Sequence, residues 1–314
     1  MSASPPPVKL HVLKRLERWL KGKPRSLPAP VAPQVVSASV PSEPPTAPEW
    51  QPGMIFEPGD TAEAYADRLI ARICAEDPQA KEALALILAE IDKGPDPEER
   101  AHTRMHKVRL LQTYAMVPQG PGSLVDVGAS DIYAVPLRQL KGWDIQPVPI
   151  LAIDYECDPL PYEDASQDVV MLCEVIEHFV IDPLFCLHEI NRILKPGGAL
   201  VLTTPNTASW FAVAQALNQQ QPNRWAVYAG SGNKERNHIH AREYLVWELE
   251  GLLKAAGFAP EEVLTRDYGI SPAYLPIPGF DTAHRGETIF IRARKTSVPV
   301  MRYATPIYLR DEPA

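Results

Sequence analysis

LVDVGAS (Leu124 to Ser130), DYECDPLPYEDASQDVVMLCEVIEH (Asp154 to His178) and EINRILKPGGALVLTTPN (Glu189 to Asn206) read in order as strand, glycine turn, acidic loop, strand, helix, strand. Leu124–Val127 is a first strand, and Val169–Cys173 an apolar run suited to burial on both faces. Pro183–Leu194 is a helix that places Leu184, Leu187, Ile190 and Ile193 inward or on its flank. Lys195-Pro-Gly-Gly198 turns the chain into a strand over Ala199–Thr203. Further on, Glu243–Ala256 reads as a helix closed by Gly257, and Val263–Tyr268 and Thr288–Arg294 as the last two strands. Strands alternating with helices predict an α/β fold, a parallel sheet with helices on both faces.

Chemistry collects where these strands end. Gly128 allows a tight turn and a close backbone approach, and N–H groups at the start of a following helix suit an anionic group. Cys173 and Glu174 follow the strand at the expected topological switch point, where open α/β sheets bind ligands. This series of segments resembles class I S-adenosylmethionine-dependent methyltransferases. The resemblance implies a Rossmann-like sheet with an antiparallel closing pair, an N-terminal helical extension, and S-adenosylmethionine as methyl donor. By the same resemblance Asp126, Gly128, Ala129 and Ser130 face the amino-acid end of the donor. Asp154 faces the adenine, with Glu156 as its alternate, and Cys173 and Glu174 lie near the sulfonium and amino groups. One departure stands out. The family has a second strand ending in an acid that grips the ribose, then a helix and a third strand. Here only GWDIQPVPI (Gly142 to Ile150) precedes the Asp154 segment. Either the second strand is very short with Asp144 displaced, or the ribose acid is absent.

Transfer to oxygen needs alignment and a proton acceptor, and histidines are the candidates. His178 follows the switch-point strand, and His238 and His240 precede a helix; His178 and His240 are the catalytic candidates. By spacing the three imidazoles lack a close acidic partner, so no metal is expected. Thr203 to Trp225, His240 to Tyr244 and Thr288 to Lys295 resemble methyltransferases that accompany bacterial glycan-assembly glycosyltransferases, and less fully quinone-type O-methyltransferases. The resemblance implies O-methylation of a sugar hydroxyl in a surface glycan or its lipid-linked precursor. A phenol or quinone precursor is the second reading, and a non-catalytic S-adenosylmethionine-binding module the third. Trp210, Phe211, Trp225 and Tyr228 suit either sugar stacking or buried packing.

Composition bounds partners and place. Residues 1–25 carry seven Lys/Arg against Glu17, a balance of +6; with −8 overall, residues 26–314 carry −14. An acidic body argues against nucleic acid as partner, because phosphate binding depends on cations. The four cysteines (Cys74, Cys157, Cys173, Cys186) form no CxxC pair, which fits reduced thiols in the cytoplasm. No run approaches the ~20 apolar residues of a membrane span, and no signal-peptide pattern is expected. Within 1–23 the segment 8–21 is a basic amphipathic helix, with Val8, Val12, Leu16 and Trp19 or Leu20 on one face, suited to peripheral contact with the inner membrane face or to docking on a partner. Ten prolines between Pro24 and Pro58 make 24–58 a disordered tether. Helices over 59–117 form a lid or pack on the sheet, starting from a capping box of Asp60 and Glu63 and including one helix from Glu98 to Tyr114. The methyltransferase domain spans 118–295, and a tail covers 296–314. The oligomeric state is left open.

Overall fold

A computed structural model describes residues 61–129, 131–149, 152–223, 225, 239–270, 276–277 and 280–299. The basic helix, the proline-rich tether and Asp60 lie outside the described residues, as does most of the tail.

Among the described residues, four helices precede the first strand. Helix α1 (Ala62–Glu76) is capped by Thr61, whose hydroxyl accepts from the Ala64 N–H at 3.1 Å. Helix α2 (Ala80–Asp92) follows. Instead of one helix from Glu98 to Tyr114, the chain forms α3 (Pro97–Met105) and α4 (Lys107–Met116), broken at His106. That ring is buried and packs edge-on to Tyr268, with centroids 5.4 Å apart, so a tertiary contact overrides the helical propensity of the run.

Strands β1 (Gly122–Val127), β2 (Trp143–Val148), β3 (Gln167–Cys173), β4 (Leu194–Pro205), β5 (Phe258–Arg266) and β6 (Thr288–Lys295) form a six-stranded sheet of order β2-β1-β3-β4-β6-β5. The first four run parallel, and β6 pairs antiparallel with both β4 and β5. This is the expected Rossmann-like sheet with its antiparallel closing pair. The turn Lys195 to Gly198 falls within the span of β4, because Leu194 already pairs with Gln167.

Alternation along the strands sorts two cores. Val125, Val127, Val170, Leu172, Leu200 and Leu202 pack with α6 (Pro183–Ile193) and α8 (Val246–Ala255). Leu124, Val169, Met171, Val201 and Phe290 face the other way, onto Ile73, Ile87, Val108, Leu111 and Tyr114 of the leading helices and Leu137 of α5 (Ala134–Lys141). The leading helices therefore share a core with the sheet. Helix α8 begins three residues later than expected, because Tyr244 bridges to Asn206 and the Glu248 carboxylate accepts from Leu245 N–H at 3.0 Å.

The second strand settles the departure noted above. It is a full six-residue strand, and Asp144 pairs with Ser123 at its N-terminal end while Asp126 pairs with Pro147. Asp144 is thus at the opposite end of the sheet from the site, and no acid ends β2 among the described residues. The Asp154 segment does not exit a third strand either. It is a run of turns, pinned by the Tyr155 hydroxyl, which donates to the Val148 carbonyl at 2.7 Å.

Lys141 ties α4 to α5 by donating to the carbonyls of Tyr114 (2.8 Å) and Val117 (2.5 Å), orphans of the α4 C-terminus. Burial pushes its amine down to about 8, against the attraction of Asp77. The unfolded chain then holds more protons than the folded one between that value and the ordinary lysine range, so stability rises with pH across this window. Urea unfolding from pH 7 to 10 should show an added slope of up to ~1.4 kcal/mol per pH unit, absent in Lys141→Met.

Candidate active site

Asp126 is buried at the carboxyl end of β1, two residues before a left-handed turn at Gly128 (φ 80°). A Cβ built on Gly128 would stand 2.3 Å from Val175 Cγ2, so no larger residue fits without displacing that side chain. The N–H groups of Gly128 and Ala129 donate to the Val148 carbonyl at 3.0 and 3.3 Å, closing the β1–β2 crevice on the chain itself. Ser130 lies outside the described residues.

Across the switch point, Glu174 also adopts a left-handed conformation, with φ 56°. Two bonds from β4 hold it there: its N–H donates to the Thr203 carbonyl at 2.9 Å, and the Thr203 hydroxyl donates to its carboxylate at 2.8 Å. The other carboxylate oxygen pairs with Arg109 of α4, a residue that sequence reasoning missed. The signal was a lone arginine between Val108 and Leu110-Leu111 in an otherwise apolar stretch. Tyr268 lies against its guanidinium, 5.9 Å from ring centroid to Cζ. Burial, with Asp126 and Glu174 nearby, pushes the Cys173 thiol well up, so this group is neutral and not a nucleophile.

The two adenine-side candidates separate. Asp154 is exposed, and one of its oxygens accepts from Glu156 N–H at 3.0 Å. The Glu156 carboxylate accepts from the N–H groups of Val180, Ile181 and Asp182 at 3.0, 2.5 and 2.8 Å. It is committed to anchoring the acidic loop to the segment before α6.

The histidine candidates come together. His178 and His240 meet edge-on, with centroids 5.0 Å apart, and Glu177 joins them. Glu177, adjacent to His178, is the acidic neighbour that the spacing of the three imidazoles did not reveal. Burial, then Glu174, pushes the Glu177 carboxyl well above the usual range. His238 and Tyr228 lie outside the described residues. Beside this cluster is a groove whose lining includes Phe211, Trp225, Glu243, Tyr268, Asn206 and Glu287. Trp210, at the start of α7 (Trp210–Leu217), is buried beneath Arg285.

Residues 123–202 match the family described as "Methyltransferase domain". A curated protein of Mycolicibacterium smegmatis, named a probable S-adenosylmethionine-dependent methyltransferase, is 34% identical over 130 residues, 41% of each chain. Over these stretches the chain is similar to S-adenosylmethionine-dependent methyltransferases. The dimethylglycine N-methyltransferase of Parasynechococcus marenigrum is 32% identical over 123 residues, 32% of this chain and 42% of the relative. The chain spans about two fifths of the length of these curated relatives. A solved methyltransferase of Aquifex aeolicus is 15% identical, with 66% of this chain and 98% of that one covered at a TM-score of 0.38.

The charges around Gly128 and Glu174 suit the amino-acid end of S-adenosylmethionine. That end carries a carboxylate, an ammonium and a sulfonium; Arg109 would complement the first, and Asp126 with Glu174, the ion-pair partner of Arg109, the other two. Of the two expected adenine-side acids, Asp154 would be the one left for a ligand, because Glu156 is committed. Gly128→Ala should raise the donor Kd at least tenfold by calorimetry, because the turn carrying Asp126 must shift to clear Val175.

Proposed function

We propose that the protein transfers a methyl group from S-adenosylmethionine to a hydroxyl oxygen, most specifically that of a sugar in a surface glycan or its lipid-linked precursor. The observation that carries this reading is the pairing of two sites across one short turn. Asp126, Glu174 and Arg109 form a zwitterion-matched set, and Glu177, His178 and His240 form a proton-accepting cluster beside an aromatic groove. The donor supplies an electrophilic methyl group on a sulfonium centre. Arg109 and the two carboxylates hold and orient its amino-acid end. Trp225 and Phe211 offer apolar faces to a sugar ring, and Glu243 and Glu287 offer carboxylate oxygens to its hydroxyls. Removal of the acceptor proton falls to the imidazole–carboxylate cluster.

Arg109→Gln removes a charge-assisted bond worth about 1.5–3 kcal/mol, and the donor Kd should rise ten- to a hundredfold by calorimetry. The acceptor is read by incubating glycan, glycolipid and phenolic-lipid extracts with methyl-labelled donor and following the mass shift. A labelled methyl ether on a sugar supports the reading, and label on a phenol favours the quinone-type alternative. Donor binding with no transfer to any extract leaves a binding module.

We further place the enzyme on the cytoplasmic side of the inner membrane, held through residues 8–21, whose cations each add about 1 kcal/mol near an anionic surface. No helix among the described residues is long and apolar enough to cross a membrane. Deletion of residues 2–25 should abolish co-sedimentation with phosphatidylglycerol vesicles; undiminished binding of the truncated protein would sink this placement.

A further inference from the structure

The 3-10 turn Ile176–His178 and the segment before α8 bring together three groups that could ligate one ion. One donor atom from each of Glu177, His178 and His240 lies within 4.8 Å of the others. Glu177 is completely buried. One of its oxygens accepts from the Thr204 hydroxyl at 2.9 Å, and the other, Oε1, has no hydrogen-bond partner. A buried carboxylate oxygen without a donor is costly, and native proteins rarely leave one so. A cation among these groups would complement it.

The outer contacts also match a metal site. His178 Nδ1 lies 2.8 Å from the Ile239 carbonyl, which requires the proton on that nitrogen and makes Nε2 the lone-pair atom. His240 Nδ1 lies 3.3 Å from the Glu243 carboxylate, which sets the same tautomer. Imidazoles that bind metals turn their second nitrogen to a carbonyl or carboxylate in this way. All three groups are thus steadied from behind: Glu177 by Thr204, His178 by Ile239, His240 by Glu243.

We propose that Glu177, His178 and His240 bind one divalent transition-metal ion on the acceptor side of the site. Two imidazoles with one carboxylate suit Mn²⁺, Fe²⁺, Co²⁺ or Zn²⁺, whereas Mg²⁺ and Ca²⁺ favour all-oxygen shells. The catalytic use of the ion rests on the methyl-transfer reading above, although its binding does not. With the ion bound, the imidazole lone pairs are taken, and the cluster would act through the metal instead of as a free base, drawing electron density from the acceptor hydroxyl. The hydroxyl proton passes to solvent as the oxygen–methyl bond forms, and the sulfur keeps the electron pair of the broken sulfur–methyl bond.

The test uses the full chain, stripped with chelator and titrated with Co²⁺ while visible d–d absorption is followed; elemental analysis gives the stoichiometry. One ion per chain is expected. Glu177→Gln and His240→Asn should each weaken binding at least tenfold, and His284→Ala, an exposed histidine outside the cluster, should leave it unchanged. His178→Asn replaces the Glu177 variant if circular dichroism shows the latter unfolded. No cobalt spectrum, or equal binding by the cluster variants, overturns the site. Calorimetry with S-adenosylmethionine on the same stripped protein separates the two readings. Intact donor binding without cobalt binding removes the metal alone, while loss of donor binding by folded protein removes the methyltransferase reading.

Discussion

The turn at Glu174 governs the geometry of the site. A non-glycine residue in the left-handed region costs of order 1–3 kcal/mol, and here Thr203 of the neighbouring strand fixes it with both its carbonyl and its hydroxyl. Because β3 ends in that turn, Glu174 is presented to Arg109 while Glu177 and His178, only three and four residues on, meet Thr204 and the loop before α8. Consecutive threonines of β4 therefore hold consecutive parts of the site, Thr203 at Glu174 and Thr204 at Glu177. A shift of one residue in the β3–β4 register would exchange the faces of both.

The leading helices contribute more than cover. Their apolar residues share a core with Leu124, Met171 and Phe290, and that packing fixes the height at which α4 crosses the strand ends. Arg109 comes from the same helix as Val108 and Leu111, so the core that stabilises the sheet also sets the position of the guanidinium. The break at His106 separates α3 from α4, and a buried imidazole there packs against Tyr268, which also lies against Arg109.

Much of this was legible in the chain. The strand at Leu124 to Val127, the buried run Val169 to Cys173 and the Lys-Pro-Gly-Gly turn carry local signals, namely period-two apolarity and glycine punctuation, that tertiary packing did not override. The losses share one cause. Arg109, the break at His106 and the partnership of Glu177 with His240 all depend on contacts between residues remote in sequence, which periodicity does not encode. The Asp154 segment misled for a related reason. Its resemblance to a strand exit was sound in residue type, but the short chain between β2 and β3 leaves it as turns, anchored by Tyr155 and Glu156.

That shortening has a further effect at the margin of the sheet. With no strand formed by the Asp154 segment, β2 is the outermost strand among the described residues, and no described strand pairs with the main-chain groups of its far side. Pro147 sits near the end of that strand, opposite Asp126, and has no N–H to give. An intruding strand could therefore zip along only part of this border before meeting a gap in the ladder. The same proline lies opposite Asp126, so the residue that blunts the border against self-association also stiffens the backbone beside that carboxylate.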